Sequence, residues 1–142
     1  MTTSSTTDPV SVLEGMYAAE AGYLAAGQSS FAPLAPFFAE DVVLHQADAL
    51  PYGGTWRGHE GMARFFEAMG RTWAGFDLVE QDYLATTSPL VVRTRVRARS
   101  RDTGHELEFL ILQTITVEDG RITEVRPFYW DTAAIARACG TG

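Results

Sequence analysis

From Val91 to Arg101 the chain alternates without a slip. Val92, Thr94, Val96 and Ala98 occupy one parity, and Arg93, Arg95, Arg97 and Arg99 the other. A period of two has one regular solution, a β-strand whose successive side chains leave opposite faces of a sheet. One face of this strand is therefore suited to burial, while the other carries four guanidinium groups. In the next segment Leu107, Phe109, Ile111, Gln113 and Ile115 share a parity, and Glu106 and Glu108 take the opposite one. Pairing the two strands sets the arginines against Glu106 and Glu108 on an outer face. The apolar set, with Gln113 among it, then forms the inner face.

Residues 76–84, 90–101, 105–117 and 121–130 all read as strands. Turn chemistry separates them at Ser88-Pro89, Asp102-Thr103-Gly104 and Glu118-Asp119-Gly120. Connections this short make consecutive strands antiparallel. The first half has a different period. Asp8-Pro9 is a helix start, Leu13, Met16, Tyr17, Ala21 and Leu24 recur at helical spacing, and Gly27 closes the element. Phe31, Leu34, Phe37 and Phe38 suggest a second, short helix that Pro36 weakens. Val42–Gln46 reads as a strand, and 61–73 as a helix with Met62, Phe65, Phe66, Met69 and Trp73 on one stripe. The order predicts an α+β domain over residues 8–142, one curved, mostly antiparallel sheet covered on one side by helices. The Ser/Thr-rich residues 1–7 are expected to be disordered.

Composition narrows the function. The 142 residues carry a net charge of −7, and all 11 basic residues are arginine. A chain without lysine can form no Schiff base and no lysine-bearing phosphate loop. Five arginines lie between residues 93 and 101, which leaves six against 18 acidic residues elsewhere, a balance that speaks against nucleic acid as a partner. Cys139, the lone cysteine, forms no intrachain disulfide. His45, His59 and His105 are widely spaced and fall in no metal-ligand motif. With no run of some 20 apolar residues and no signal-peptide character at the N-terminus, a cytoplasmic protein without a membrane partner is expected. Any chemistry would be cofactor-free proton transfer.

Three stretches carry a family resemblance: Phe37-Phe38-Ala39-Glu40-Asp41-Val42-Val43-Leu44-His45, Leu50 through Gly61, and Asp119 through Asp131 with its Pro127-Phe128-Tyr129-Trp130 run. They resemble the SnoaL-like branch of the nuclear transport factor 2-like superfamily, over roughly Val10 to Arg137. The resemblance implies a cone-shaped α+β barrel, three helices closing a bent sheet around an apolar pocket, commonly as a homodimer through the sheet. Relatives include polyketide cyclases, ketosteroid isomerases, epoxide hydrolases and dehydratases, and the fold does not choose among them.

The resemblance also suggests site residues. Asp131 matches an acid/base aspartate of the family's cyclases and epoxide hydrolases, and it also reads as the cap of a short C-terminal helix. His45 falls in a strand where the family places polar residues facing the cavity. Gln46 stands where ketosteroid isomerases carry their basic aspartate, and their acidic oxyanion partner would fall near Gln113 or Thr114, two departures that argue against isomerase chemistry. Asp48 substitutes for that aspartate only if its loop turns inward. The Arg93–Arg99 strand offers no aspartate for an epoxide-hydrolase pair. Leu50–Gly61 is expected to be a loop at the pocket mouth, with Tyr52 and Trp56 lining or closing it. Tyr17, Tyr83, Phe109, Gln113 and Tyr129 are further candidates to contact an apolar small molecule. The expectation is therefore a small-molecule pocket protein. It is either an acid/base enzyme on a polyketide-, steroid- or terpenoid-like substrate, using Asp131 and His45, or a non-catalytic binding module.

Overall fold

The computed structural model describes residues 8–25 and 30–140. The expectations placed on residues 1–7, the Leu24 side chain and Gly27 lie outside them. Helix α1 spans Pro9–Ala25. The Asp8 carbonyl accepts the first helical bond from the Val12 amide at 3.1 Å, while the Asp8 carboxylate takes the Ser11 hydroxyl at 2.9 Å. Val12, Leu13, Met16 and Tyr23 are its buried residues, whereas Ala21 is exposed. The inward stripe is thus turned from the one expected, and Glu20 lies on it where Ala21 was placed.

The second helix is reduced to a three-residue 3-10 turn, Ala35–Phe37, because Pro36 cannot donate to a longer ladder. The chain passes directly from it into β1, Phe38–Gln46. Phe38, Val42, Leu44 and Gln46 share one parity and are buried on the inner face, with a register shift against β6 between Phe38 and Val43. Residues expected to be loop form a further strand, β2 (Gly54–Arg57), antiparallel to β1. Helix α2 follows at once over Gly58–Thr72, three residues earlier than the spacing suggested. Gly58 makes that junction with φ +71, where a Cβ would sit 3.3 Å from the Glu40 carbonyl. Met62, Phe65, Phe66 and Met69 of α2 are buried, each adding about 1.5–3 kcal/mol of apolar burial.

Strands β3 (Trp73–Ala85), β4 (Leu90–Ser100), β5 (Glu106–Glu118) and β6 (Arg121–Tyr129) then meander antiparallel. Asp119 and Gly120, with φ of 53 and 77, make the two-residue hairpin whose positive angles match the strand twist. The sheet order is β2-β1-β6-β5-β4-β3, with β1 and β6 parallel, so the cone is open, with β2 and β3 as its edges. Helix α3, Thr132–Ala138, closes the described chain. Among the described residues no helix is long and apolar enough to cross a membrane.

The parity of β4 and β5 is as the alternation requires. Val92, Thr94, Val96 and Ala98 are buried, the arginines are exposed, and Arg97 and Arg99 stand opposite Glu108 and Glu106. Strand β3 supplies more of the counter-charge: Asp82 binds Arg93 at 2.9 Å and Glu80 binds Arg95 at 3.1 Å.

Candidate active site

A cavity of about 70 Å³ lies between α1, α2 and the inner face of the sheet. A single water needs roughly 10–15 Å³ by this measure, so the space takes several waters or part of a compact organic molecule. Phe65, Phe66 and Met69 wall one side, and Leu44, Ile111 and Val125 the other. Into this apolar enclosure six polar residues project: Tyr17 and Glu20 from α1, Gln46 from β1, Thr94 from β4, Gln113 from β5 and Tyr129 from β6.

Two short networks hold them. The Tyr17 hydroxyl donates to Gln113 Oε1 at 2.9 Å, and Gln81 Nε2 donates to Thr94 Oγ1 at 3.2 Å. Behind the cavity the Tyr129 hydroxyl donates to the Tyr52 oxygen over a long 3.4 Å. The Trp73 indole N–H, which can only donate, reaches the same oxygen at 3.4 Å. Gln46 Oε1 is buried and meets no donor among the described residues.

Glu20 is the only carboxyl in the cavity lining among the described residues. Burial disfavours its charged form and pushes its pKa up to about 7. Burial likewise pushes Tyr52 up to about 12 and raises Tyr17 and Tyr129, Tyr17 further through the Glu20 charge and Tyr129 through Tyr52. The phenols therefore stay protonated near neutrality and serve as hydrogen-bonding groups, and Glu20 is the group that can exchange a proton.

The structure brings Tyr17, Gln113 and Tyr129 together at the cavity. Tyr52 is fully buried behind Tyr129, and Trp56 packs on Phe65 while its indole N–H donates to the Tyr52 carbonyl at 3.2 Å. Phe109 supports Tyr129 from the core at a ring separation of 5.9 Å, and Tyr83 is half-buried beside Val92, outside the lining. Asp48 is exposed. The two residues expected to share a proton do not share the cavity. His45 lies between the inward Leu44 and Gln46 and so faces outward, where its Nε2 meets Glu124 at 3.0 Å. That contact comes first among the causes holding the Glu124 carboxyl below its usual range. Asp131 is exposed and caps α3, its Oδ1 accepting the Ala134 amide at 3.0 Å.

Glu20 and Thr94 were not singled out from the sequence. The signal for Glu20 was its spacing, three residues after Tyr17 and three before Tyr23, which puts a carboxylate on the buried stripe of α1.

The SnoaL-like domain family matches residues 17–125. The chain belongs to this family. Solved structures agree in fold. An NTF2-like protein from Burkholderia xenovorans LB400 superposes with a TM-score of 0.80 at 24% identity, over 95% of this chain and 98% of that one. An NTF2-like protein of unknown function from Burkholderia pseudomallei K96243 gives 0.78 at 19% identity, over 93% and 97%. TerC, co-crystallised with polyporic acid, gives 0.74 at 20%, over 91% and 98%. None of the curated proteins matches the chain.

Proposed function

We propose that this SnoaL-like domain binds a small, largely apolar organic molecule and moves a proton on it, with Glu20 as the acid/base. The observation that carries this is the single carboxyl in the cavity lining among the described residues, pushed by burial to a pKa of about 7. Near neutral pH such a group is populated in both forms, the condition under which one residue can take a proton and return it. As carboxylate, Glu20 removes a proton from a carbon beside a carbonyl. The C–H pair moves into the C=C bond of an enolate and the negative charge onto oxygen. As carboxylic acid, Glu20 returns the same proton to carbon or oxygen, so the enzyme ends as it began. Donors near the developing oxyanion come from the polar wall. With its Oε1 taken by Tyr17, Gln113 keeps its amide nitrogen for this role. The co-crystallisation of TerC, a protein of the same fold, with the organic compound polyporic acid supports the small-molecule part of the reading.

The test is deuterium exchange at the α-carbon of a panel of cyclic ketones in D2O, for wild type and Glu20→Gln. Exchange well above buffer that falls at least about 100-fold in the variant is the expected result. Exchange equal in both proteins, or none above buffer, would return the pocket to a binding-module role.

The same reading includes a homodimer built on the outer sheet face. Phe128 and Trp130 are 52% and 84% exposed, and Leu110 and Leu112 lie beside them through the β5–β6 pairing. Arginine–carboxylate pairs border this patch, so a second copy would meet apolar with apolar and charge with opposite charge. Light scattering at micromolar concentration should give twice the chain mass, and half that mass after Trp130→Ser with Phe128→Ser. A wild-type monomer rules the assembly out.

A further inference from the structure

The charges around the cavity are of one sign. Glu20 is the only carboxyl in the lining among the described residues, and neither an arginine nor a histidine joins it there. The other titratable groups that face the cavity are the phenols of Tyr17 on α1 and Tyr129 on β6, both protonated near neutrality. Helix α1 itself carries Glu14 and Glu20 and no basic residue. The Glu20 carboxyl makes no hydrogen bond or ion pair among the described residues, and burial alone acts on its titration. Unlike Gln46 Oε1, its oxygens keep accessible surface, since the residue is half-buried.

Depth orders the rest of the site. The lining is buried at Phe65, Phe66 and Met69 and half-buried at Tyr17, Glu20 and Phe76. An apolar body therefore belongs at the deep end, and a polar head at the more open end beside Glu20. A carboxylate in this place lacks a positive charge that the protein does not supply, and a ligand anion would meet only repulsion. An ammonium group brings the missing charge in a charge-assisted hydrogen bond. Tyr17 spends its O–H on Gln113 and Tyr129 spends its O–H on Tyr52, so both oxygens keep lone pairs for further N–H donors.

We infer that the cavity takes a compact primary amine as its ammonium ion, with the charged head paired to the Glu20 carboxylate and the apolar body against Phe65, Phe66 and Met69. This rests on the reading of the cavity as a small-molecule site, but not on Glu20 acting as a base toward a ketone.

The experiment is calorimetric titration of wild type and Glu20→Gln with benzylamine, benzyl alcohol and benzoate, near pH 6 and near pH 8. Near pH 8 wild type should bind the amine at least about tenfold more tightly than the alcohol, and benzoate should not bind. Glu20→Gln should lose the preference. With the free carboxyl at a pKa of about 7, the acid form dominates near pH 6 and must give its proton to the buffer before the ammonium can pair. The preference should therefore shrink about tenfold there, with close to one proton released per amine bound. Equal affinity of wild type for amine and alcohol, tighter binding of benzoate, or no binding of any of the three overturns the proposal, and none of these comparisons depends on a variant folding. A preference indifferent to pH, with no proton released, also overturns it, because the ammonium would then lie away from Glu20. Ketone exchange in the same two proteins keeps the readings apart. Exchange that needs Glu20 without any amine preference overturns the amine site and leaves the base standing, whereas an amine preference with exchange unchanged in Glu20→Gln supports the amine site and removes the base.

Discussion

The two faces of the central sheet are built from the same strands and differ by one residue of register. On the outer face of β4 the polar groups are large and charged, and three of the four arginines from Arg93 to Arg99 hold a carboxylate: Arg93 with Asp82, Arg95 with Glu80, Arg97 with Glu108. On the inner face polar groups are few, small and incompletely matched, with Thr94 tied to Gln81 and Gln46 Oε1 tied to nothing. Charges in water tolerate imperfect pairing at little cost, so the outer ladder is consistent with solubility and assembly. A polar atom in an apolar enclosure is expensive unless something meets it, so the inner face tolerates few of them.

The contrast breaks most severely if an outer residue is moved inside. Val96 is fully buried next to the outward Arg95 and Arg97. Val96→Arg should cost at least about 3 kcal/mol of unfolding free energy in urea, because burial strips the guanidinium of its water. Arg95→Thr, one residue away, should stay within about 1 kcal/mol of wild type. Similar losses for the two would mean that the faces are not distinct environments.

Glu20 sharpens the comparison as the one carboxyl in the cavity lining among the described residues. Its folded pKa of about 7 lies above the ordinary 4.5 of the unfolded chain, so the folded state holds the proton more tightly. The stability this contributes is complete below the unfolded value and is lost as pH rises through the folded one. Glu20→Gln keeps the shape without the charge. Denaturant unfolding should therefore find the variant more stable than wild type by about 1–3 kcal/mol near pH 8 and nearly equal near pH 4. A difference that does not change with pH would place the carboxyl in water.

How much of this was legible follows from the same parity. Strands β3 to β6 and the inward place of Gln113 could be read directly, since alternation fixes which side chains share a face. The short strand β2 could not. Gly54–Arg57 is short and flanked by Gly53 and Gly58, and it is a strand because β1 offers it an edge, a tertiary cause that no local pattern carries. His45 was assigned to the cavity one residue out of register, and a slip of one in a strand exchanges faces. Glu20 was hidden for the opposite reason: a glutamate on a helix reads as solvated surface until the partner of that helix face is known.

Asp131 measures a smaller effect and separates two roles that its sequence context left open. As the cap of α3, Asp131→Ala should cost about 1 kcal/mol of stability and leave ketone exchange unchanged. Loss of exchange with stability intact would return this aspartate to the chemistry.

The smallest effect belongs to the outer ladder. Arg97 and Glu108 lie 3.1 Å apart with 59% and 46% of their side chains exposed, so water and salt screen the pair. A double-mutant cycle of Arg97→Ala and Glu108→Ala should give a coupling of about 0.2–1 kcal/mol that shrinks in high salt. A larger, salt-insensitive coupling would mean that the pair is buried in solution, as it would be beneath a second copy of the chain. The cycle repeated over a range of protein concentrations therefore asks how far the outer face is an exposed surface at all.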